Sequence, residues 1–508
     1  MSLATVFSRA LNGMDAPQVE VEAHLANGLP AFNIVGLPDT EVKESRDRVR
    51  AAILQSGFDF PSKKITVNLA PADLPKDSGR FDLPIAIGIL VASGQVMADD
   101  LAQYEFAGEL ALSGRLRPVR GALAMAISCA QSERSFVLPT ESASQAALLE
   151  RADIYAAESL SEVAAHLNRI SLLEPVLPTA SVDDWVGLAD LSEVKGQYSA
   201  RRALEVAAAG GHNLLMMGPP GTGKSMLAQR LPSILPPLTM DERLSVASIR
   251  SLVLQHSHEV LPKARPFQMP HHSASSVALV GGGSDPRPGA ISMAHFGVLF
   301  LDELPEFDRK VLEALREPLE SGEIHISRAS RNVVFPARFQ LVAAMNPCPC
   351  GYYGHASKPC RCSVETIQRY RDKISGPLMD RIDLIIDVPQ LQEHDLTSDK
   401  RPESSSVVRE RVLRAHERQM QRQGKSNSAL SVDDLEQLAL IATEAKLYLS
   451  KLMNDLNLSA RSYHRLLRVA RTCADLHADD VVETHHIVEA IQFRRAWTNQ
   501  LQLGQKPW

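Results

Sequence analysis

The run "GPPGTGKS" sets Gly218, Pro219, Pro220, Gly221, Thr222, Gly223, Lys224 and Ser225 in the spacing G-x-x-x-x-G-K-[ST]. Glycines so spaced let backbone N–H groups wrap phosphate oxygens. Lys224 brings a charge to the β- and γ-phosphates, and Ser225 offers a hydroxyl to Mg²⁺. Asp302 follows 78 positions after Lys224, in "VLFLDEL", where four apolar residues end in an acidic pair. Asp302 suits Mg²⁺ held through water, and Glu303 suits the orientation and deprotonation of an attacking water. The rival reading is an acidic pair that only ends a strand. Asn346 closes the apolar run "FQLVAAMN", where its amide can address the γ-phosphate or the water. The chemistry implied is hydrolysis of ATP with Mg²⁺ as cofactor.

A second constellation starts at once after Asn346. Of six cysteines in the chain, Cys348, Cys350, Cys360 and Cys362 fall in "NPCPCGYYGHASKPCRCS" as C-x-C-x9-C-x-C. Four thiolates suit a closed structural Zn²⁺ site, with one pair on each side of a loop containing Gly351, Gly354 and Pro359. His355 is an alternative to one thiolate, and a redox pair or unligated loop thiols are the rival readings. Cys129 and Cys473 lie in apolar helical runs and are expected in the core.

The elements that must position these groups can be read coarsely. "NLLMMGPPGTGKS", "GVLFLDEL" and "FQLVAAMN" are short apolar strands ending in polar clusters, the pattern of a buried parallel sheet that presents chemistry at its strand ends. Ahead of them, residues up to about 170 alternate β-type runs ("ITVNLA", "YEFAGELAL") with a helical pattern ("ESRDRVRAAILQSG"), an α/β domain. "LLEPVLPTASVDDW" reads as a linker. After about Leu391 the chain turns charged, then helical, with Ser431 and Ser459 as N-caps. The expected division is 1–170, a linker at 171–187, an ATPase core at 188–392 and an all-helical lid at 393–508. The segment "QMPHHSASSVALVGGGSDPRPGAIS" reads as a loop. "EIHISRASRNVVFPARF" reads as a hairpin with Arg328 and Arg331 near its tip.

The chain has 508 residues, 44% of them hydrophobic, and a net charge of −6, so no global basic field advertises nucleic acid and any DNA contact must be local. Its longest apolar run, Leu83 to Met97, is broken by Gly and Ser and is too short to span a bilayer. The opening "MSLATVFSRALNGMD" does not read as a signal peptide. The expectation is a cytoplasmic protein without a membrane partner, whose clustered thiols stay reduced.

With the motifs in this order, the chain resembles the YifB/ComM family of magnesium-chelatase-like AAA+ ATPases, and within it the ComM branch. The phrases "FNIVGLPDTEVKESRDRVRAAI", "LPKDSGRFDLPIAIGIL", "MPHHSASSVALVGGG", "HFGVLFLDELPEF" and "NPCPCGYYG" carry the resemblance nearly end to end. It implies an N-terminal Lon-protease-like (ribosomal S5-like) domain, an AAA+ P-loop core and a helical lid. It places Asn346 as sensor 1, Arg381 in "SGPLMDRIDLII" as an arginine finger acting on a neighbouring subunit, and Arg461 as sensor 2. A finger in trans implies a homo-oligomeric ring, most often a hexamer. The two inserts resemble the helix-2 insert and the presensor-1 hairpin of this clade, which would let Arg328 and Arg331 grip DNA phosphates in a pore.

A Lon-type protease needs a serine activated by a lysine. Here Arg80 and Leu123 stand at the two positions, and Ser78 nearby has no lysine partner, so a retired catalytic fold is expected. The resemblance implies a ring-shaped DNA helicase for branch migration in natural transformation. The alternatives are the ATPase subunit of a metal chelatase, although the chain lacks the D-x-S-x-S metal motif of the partner subunit, or a protein remodeller.

Overall fold

Strict alternation in "QVEVEAHLA" puts Val19, Val21, Ala23 and Leu25 on one buried face of a strand, Gln18–Ala26. The computed structural model describes residues 2–36, 40–74, 76, 78–149, 151–177, 187–253, 261–283, 286–328, 331–355, 358–391, 402–455 and 459–501. In it this strand joins a seven-stranded mixed sheet in the order Ala31–Val35, Lys64–Ala70, Gln18–Ala26, Leu3–Arg9, Tyr104–Phe106, Ser135–Pro139 and Ile154–Ala157. The apolar run that begins at Leu83 forms the helix Asp82–Ala92, buried nearly all round against Leu3–Arg9 and Gln18–Ala26. Gly88 makes that approach possible, because a Cβ there would lie 3.1 Å from the Ala23 Cβ.

Charge inside this region is paired. The fully buried Glu105 accepts from Arg9 at 2.6 and 2.7 Å and from Arg134 at 3.1 Å. Asp82, also fully buried, accepts from Ser45, from Arg48 Nε at 2.7 Å and from the Leu110 N–H. Where the resemblance would set a protease's serine and lysine, Ser78 Oγ accepts from Arg80 Nε at 2.8 Å, Leu123 is buried, and the Lys76 ammonium donates to the Pro71 carbonyl. The beginning of the expected linker lies against the sheet edge, with the Val176 N–H donating to Ile154 O at 2.8 Å. Residues 178–186 of it fall outside the described residues.

The three expected strands form the centre of a five-stranded, all-parallel sheet. Its order is Phe267–Gln268, Val298–Leu301, Gln340–Met345, Leu214–Met217 and Leu384–Asp387. All residues of the three central strands are buried, which explains why they read as unbroken apolar runs. The segment expected as a loop from Gln268 to Ser292 is corrected. It ends the edge strand Phe267–Gln268 and carries a helix, Ser276–Val280, capped by Ser275, then a two-residue ladder, Gly281–Gly282 with Arg287–Pro288, and a short helix, Ala290–Met293. Its glycines permit that ladder: a Cβ on Gly281 would lie 2.4 Å from the Arg287 carbonyl oxygen. Residues 284 and 285 lie outside the described residues.

The expected hairpin forms as Glu323–Arg328 against Arg331–Pro336, with Arg328 opposite Arg331 as the last pair of its register. Residues 329 and 330 and both arginine side chains lie outside the described residues. The first region packs against this unit. The Gly121 N–H donates to Ser251 O at 2.9 Å, and Gly13, at φ 67, sits where a Cβ would lie 2.6 Å from Val333 of the hairpin.

The C-terminal region is helical: Ser405–Gln423, Val432–Leu438, Thr443–Asp455, Ala460–His477 and Thr484–Leu501. Ser431 and Ser459 cap their helices as expected. A buried polar network ties the helices together, in which Asp475 accepts from Arg422 at 2.7 and 2.9 Å, from Asn427 at 2.7 Å and from Arg471 at 3.1 Å. His212, beside the sheet, contacts Thr472 Oγ1 of this network at 2.8 Å. Among the described residues no helix is long and apolar enough to cross a membrane.

Candidate functional site

Parallel strands all end on the same side, so the loops that follow Met217, Leu301 and Met345 converge. The first turns into the helix Lys224–Arg230. Gly218 is required there, because a Cβ would lie 2.2 Å from the carbonyl oxygen of Val388, the residue that follows the adjacent strand Leu384–Asp387. Gly221 and Gly223 have φ of 77 and 86, the left-handed region that favours glycine. Gln197 holds the loop from outside, donating to Thr222 O at 3.2 Å and Pro389 O at 2.8 Å.

Lys224 is buried. Its Nζ donates to the carbonyls of Gly218 and Pro219 at 2.8 Å each, and to Asn346 Oδ1 at 3.3 Å. Burial pushes the pKa of this ammonium down, opposed by Asp302 and Glu303. Ser225 Oγ donates to Asp302 Oδ2 at 2.5 Å, so the hydroxyl and the carboxylate suited to Mg²⁺ already touch. Asp302 Oδ1 accepts the Glu303 N–H at 2.9 Å. Glu303 has φ 53, a left-handed conformation that costs a non-glycine residue roughly 1–2 kcal/mol.

The structure thus brings Lys224, Ser225, Asp302, Glu303 and Asn346 together. It adds a residue to which the sequence alone gave no role: His272 Nδ1 lies 3.2 Å from Glu303 Oε2, with the His271 ring 4.2 Å from its own. The paired histidines of "MPHH" were the available signal.

Arg381 and Arg461 lie elsewhere. Arg381 precedes the strand Leu384–Asp387, at the amino ends of the parallel strands, while the loop Gly218–Gly223 is at the carboxyl ends. Four strand residues at about 3.3 Å each separate the two levels by roughly 13 Å. Arg381 is ion-paired with Glu320 and donates to Pro377 O at 2.6 Å, and its carbonyl accepts from Asn213 Nδ2 at 2.8 Å. Arg461 Nη1 is 3.9 Å from Asp380 Oδ2. Both line one open cavity of about 1110 Å³ with Arg465, Arg468 and Asp383. One turn along from Arg461, Arg465 was missed in the sequence. It is buried, with Nε 3.8 Å from Asp383 Oδ1, and burial lowers its pKa. Burial also pushes Asp383 up, but His212, Arg465 and Arg494 outweigh it and hold the carboxyl below its ordinary value.

The four cysteines converge. Cys348 Sγ is 3.4 Å from Cys350 and 3.7 Å from Cys360, Cys350 is 3.6 Å from Cys360, and all four sulfurs lie within 4.8 Å of one another. Four sulfurs about 2.3 Å from one tetrahedral Zn²⁺ would be roughly 3.8 Å apart, so the set fits that ion. N–H groups of Tyr353 and Cys362 point at the Cys348 and Cys360 sulfurs at 3.3 and 3.4 Å. Backbone N–H groups of Tyr352 and Arg361 pull the Cys350 thiol down to about 6. His355 is not among the converging ligands; its Nδ1 accepts the Lys358 N–H at 3.1 Å. Cys129 and Cys473 are buried, as expected. The cysteine loop also touches the loop Gly218–Gly223: a Cβ on Gly351, at φ 82, would lie 2.8 Å from Pro220 Cδ.

A parallel sheet with this loop, this acidic strand end and a helical C-terminal region defines an AAA+-type P-loop ATPase. Three family models match in tandem: "Subunit ChlI of Mg-chelatase" over residues 21–142, "Magnesium chelatase, subunit ChlI" over 190–396, and "Magnesium chelatase, subunit ChlI C-terminal" over 402–494. The chain is 50% identical over 499 residues to "Competence protein ComM" of Haemophilus influenzae, covering 97% of this chain and 98% of that protein. It is 48% identical over 495 residues to YifB of Escherichia coli, with 97% of each covered. An uncharacterized protein of Mycobacterium tuberculosis is 41% identical over 502 residues, 97% of this chain and 99% of its own length. The chain belongs to the YifB/ComM family of magnesium-chelatase-like AAA+ proteins. Membership supports ATP hydrolysis with Mg²⁺.

Proposed function

We propose that this chain is one subunit of a ring-shaped, ATP-driven DNA motor, a branch-migration helicase acting in recombination during natural transformation. The observation that carries the reading is the split of the site. Lys224, Ser225, Asp302, Glu303 and Asn346 meet at one end of the sheet, and Arg381 and Arg461 sit at the other. A complete site therefore takes two copies, one giving the phosphate-binding loop and the next its arginines, which favours a closed homo-oligomer of about six subunits. The name of the Haemophilus relative supports the link to competence.

Gly221, Thr222 and Gly223 present backbone N–H groups to the phosphates, and Lys224 exchanges its loop carbonyls for β- and γ-oxygens. Ser225, and Asp302 through water, would hold Mg²⁺, which would supply positive charge against the phosphates. Glu303 takes the proton of the attacking water, and Asn346 orients that water. In the next subunit, Arg381 and Arg461 stabilise charge on the departing phosphates. Hydrolysis moves the hairpin that carries Arg328 and Arg331 along the DNA backbone without reading bases. Cys348, Cys350, Cys360 and Cys362 would hold a structural Zn²⁺ beside the loop. Residues 1–170 form a Lon-protease-like domain without a catalytic dyad, followed by a linker at 171–187, the AAA+ core at 188–392 and the lid at 393–508. The protein works in the cytoplasm.

The chelatase reading keeps support from the names of the family models. The test is strand displacement on three- and four-stranded DNA, comparing wild type with Lys224→Ala. Unwinding by wild type, lost in the variant with DNA binding retained, supports the motor. ATPase activity raised only by a chelatase subunit, or only by unfolded protein, refutes it.

A further inference from the structure

We propose that His477, Asp479 and His485 form a second metal site, for a late first-row divalent cation such as Zn²⁺ or Ni²⁺, with the buried His486 as its positioning residue. The site lies where the helix Ala460–His477 turns into the helix Thr484–Leu501, far along the chain from the cysteine loop.

The turn is rigid, and its ligands can adjust. Ala478 has φ 65, and the Asp479 N–H returns to Ala474 O at 2.9 Å, which closes the first helix. Arg471, fully buried, donates to the carbonyls of Asp479 and Asp480 and pins the turn from below. The side chains of Asp479 and His485 are about half exposed, with room to shift. One nitrogen or carboxylate oxygen from each of His477, Asp479, His485 and His486 lies within 4.8 Å of the others. Donor atoms about 2.0–2.2 Å from a tetrahedral ion sit roughly 3.4 Å apart, so closure takes side-chain shifts of about an ångström. Two neutral imidazoles with one carboxylate favour Zn²⁺ or Ni²⁺ over the hard cations Mg²⁺ and Ca²⁺.

His486 supplies the independent observation. It is fully buried, and its Nδ1 accepts the Glu483 N–H at 3.0 Å, which places the ring proton on Nε2. That Nε2 lies 3.2 Å from Asp479 Oδ2 yet has no hydrogen-bond partner among the described residues. A buried donor facing a misaligned carboxylate costs free energy. A cation drawing Asp479 towards His477 and His485 gives that carboxylate a fixed orientation, with the His486 N–H behind it. A protonated Nε2 cannot itself be a ligand, so His486 acts through Asp479.

The experiment uses untagged full-length protein, stripped with chelator and dialysed against micromolar ZnCl₂ with millimolar MgCl₂ present, with bound zinc counted by elemental analysis. The paired variant His477→Ala/His485→Ala replaces side chains at the facing ends of the two helices, and circular dichroism checks its fold. The expected result is one zinc equivalent fewer than wild type, with the cysteine loop unchanged in both. Equal zinc content in wild type and the paired variant overturns the site. His486→Gln separates positioning from ligation: affinity at this site should weaken about 10- to 100-fold with stoichiometry kept. Complete loss of that equivalent in a folded His486→Gln protein overturns the assigned role of His486.

Discussion

Replacing Glu303 by Gln keeps the shape of the side chain and removes its basicity. If Glu303 takes the proton of the attacking water, ATP turnover should fall about 10²- to 10⁴-fold, the range for loss of a general base, or about 2.7–5.4 kcal/mol of transition-state stabilisation. The structure supplies the competing magnitude. The Glu303 carboxylate pairs with His272, 3.2 Å away, and the two side chains are 50% and 36% exposed. A pair so solvated is worth roughly 0.2–1 kcal/mol, at most about fivefold in rate. If Glu303 served only to hold His272 and its insert, Glu303→Gln and His272→Ala should each cost about fivefold or less. The two accounts therefore differ by more than tenfold. Steady-state phosphate release, with binding of a fluorescent ATP analogue as control, decides between them. Turnover by Glu303→Gln within tenfold of wild type, with analogue binding intact, refutes the assignment of the base.

Arg328→Ala/Arg331→Ala should weaken DNA binding and lessen its salt dependence, the slope falling by about 0.7–0.9 for each phosphate that is no longer neutralised; filter binding at several salt concentrations with unchanged affinity would remove the hairpin from the DNA path. Serine at Cys348, Cys350, Cys360 and Cys362 should cost one zinc equivalent and, because Gly351 abuts Pro220, raise KM for ATP more than it lowers kcat. Unchanged zinc content would sink the cysteine site. Stability should also depend on His295, which is buried, its pKa pushed by burial and by Arg338 from 6.5 down to about 4. Since the unfolded imidazole takes its proton first, this contribution is complete above about pH 6.5 and is lost as the pH falls towards 4, by about 3 kcal/mol. Unfolding curves of wild type and His295→Gln should converge over that window, and a constant difference would contradict the placement of His295.

Much of this molecule is written locally. Three buried parallel strands must be apolar on both faces and must end where polar residues begin, so "LLMM", "VLFL" and "QLVAAM" announced the sheet and the polar residues at its strand ends. Serine caps, the hairpin and the paired C-x-C motifs are likewise short-range patterns. The segment at 268–292 misled because small residues, glycines and histidines carry no period, although two glycines there are needed for close backbone approach.

What the tertiary structure alone decided are the relations between segments far apart in the chain. His272 reaches Glu303, and Gly351 lies against Pro220, only because strand order brings those loops to one side. Arg381 falls at the opposite end, because every strand of a parallel sheet runs the same way and residues preceding a strand cannot share the edge with those that follow it; Arg461 joins it there through the packing of its helix, which sets it beside Asp380. The motifs name the residues; the direction of the strands sets Arg381 at the end of the sheet opposite the one where Lys224, Ser225, Asp302, Glu303 and Asn346 meet.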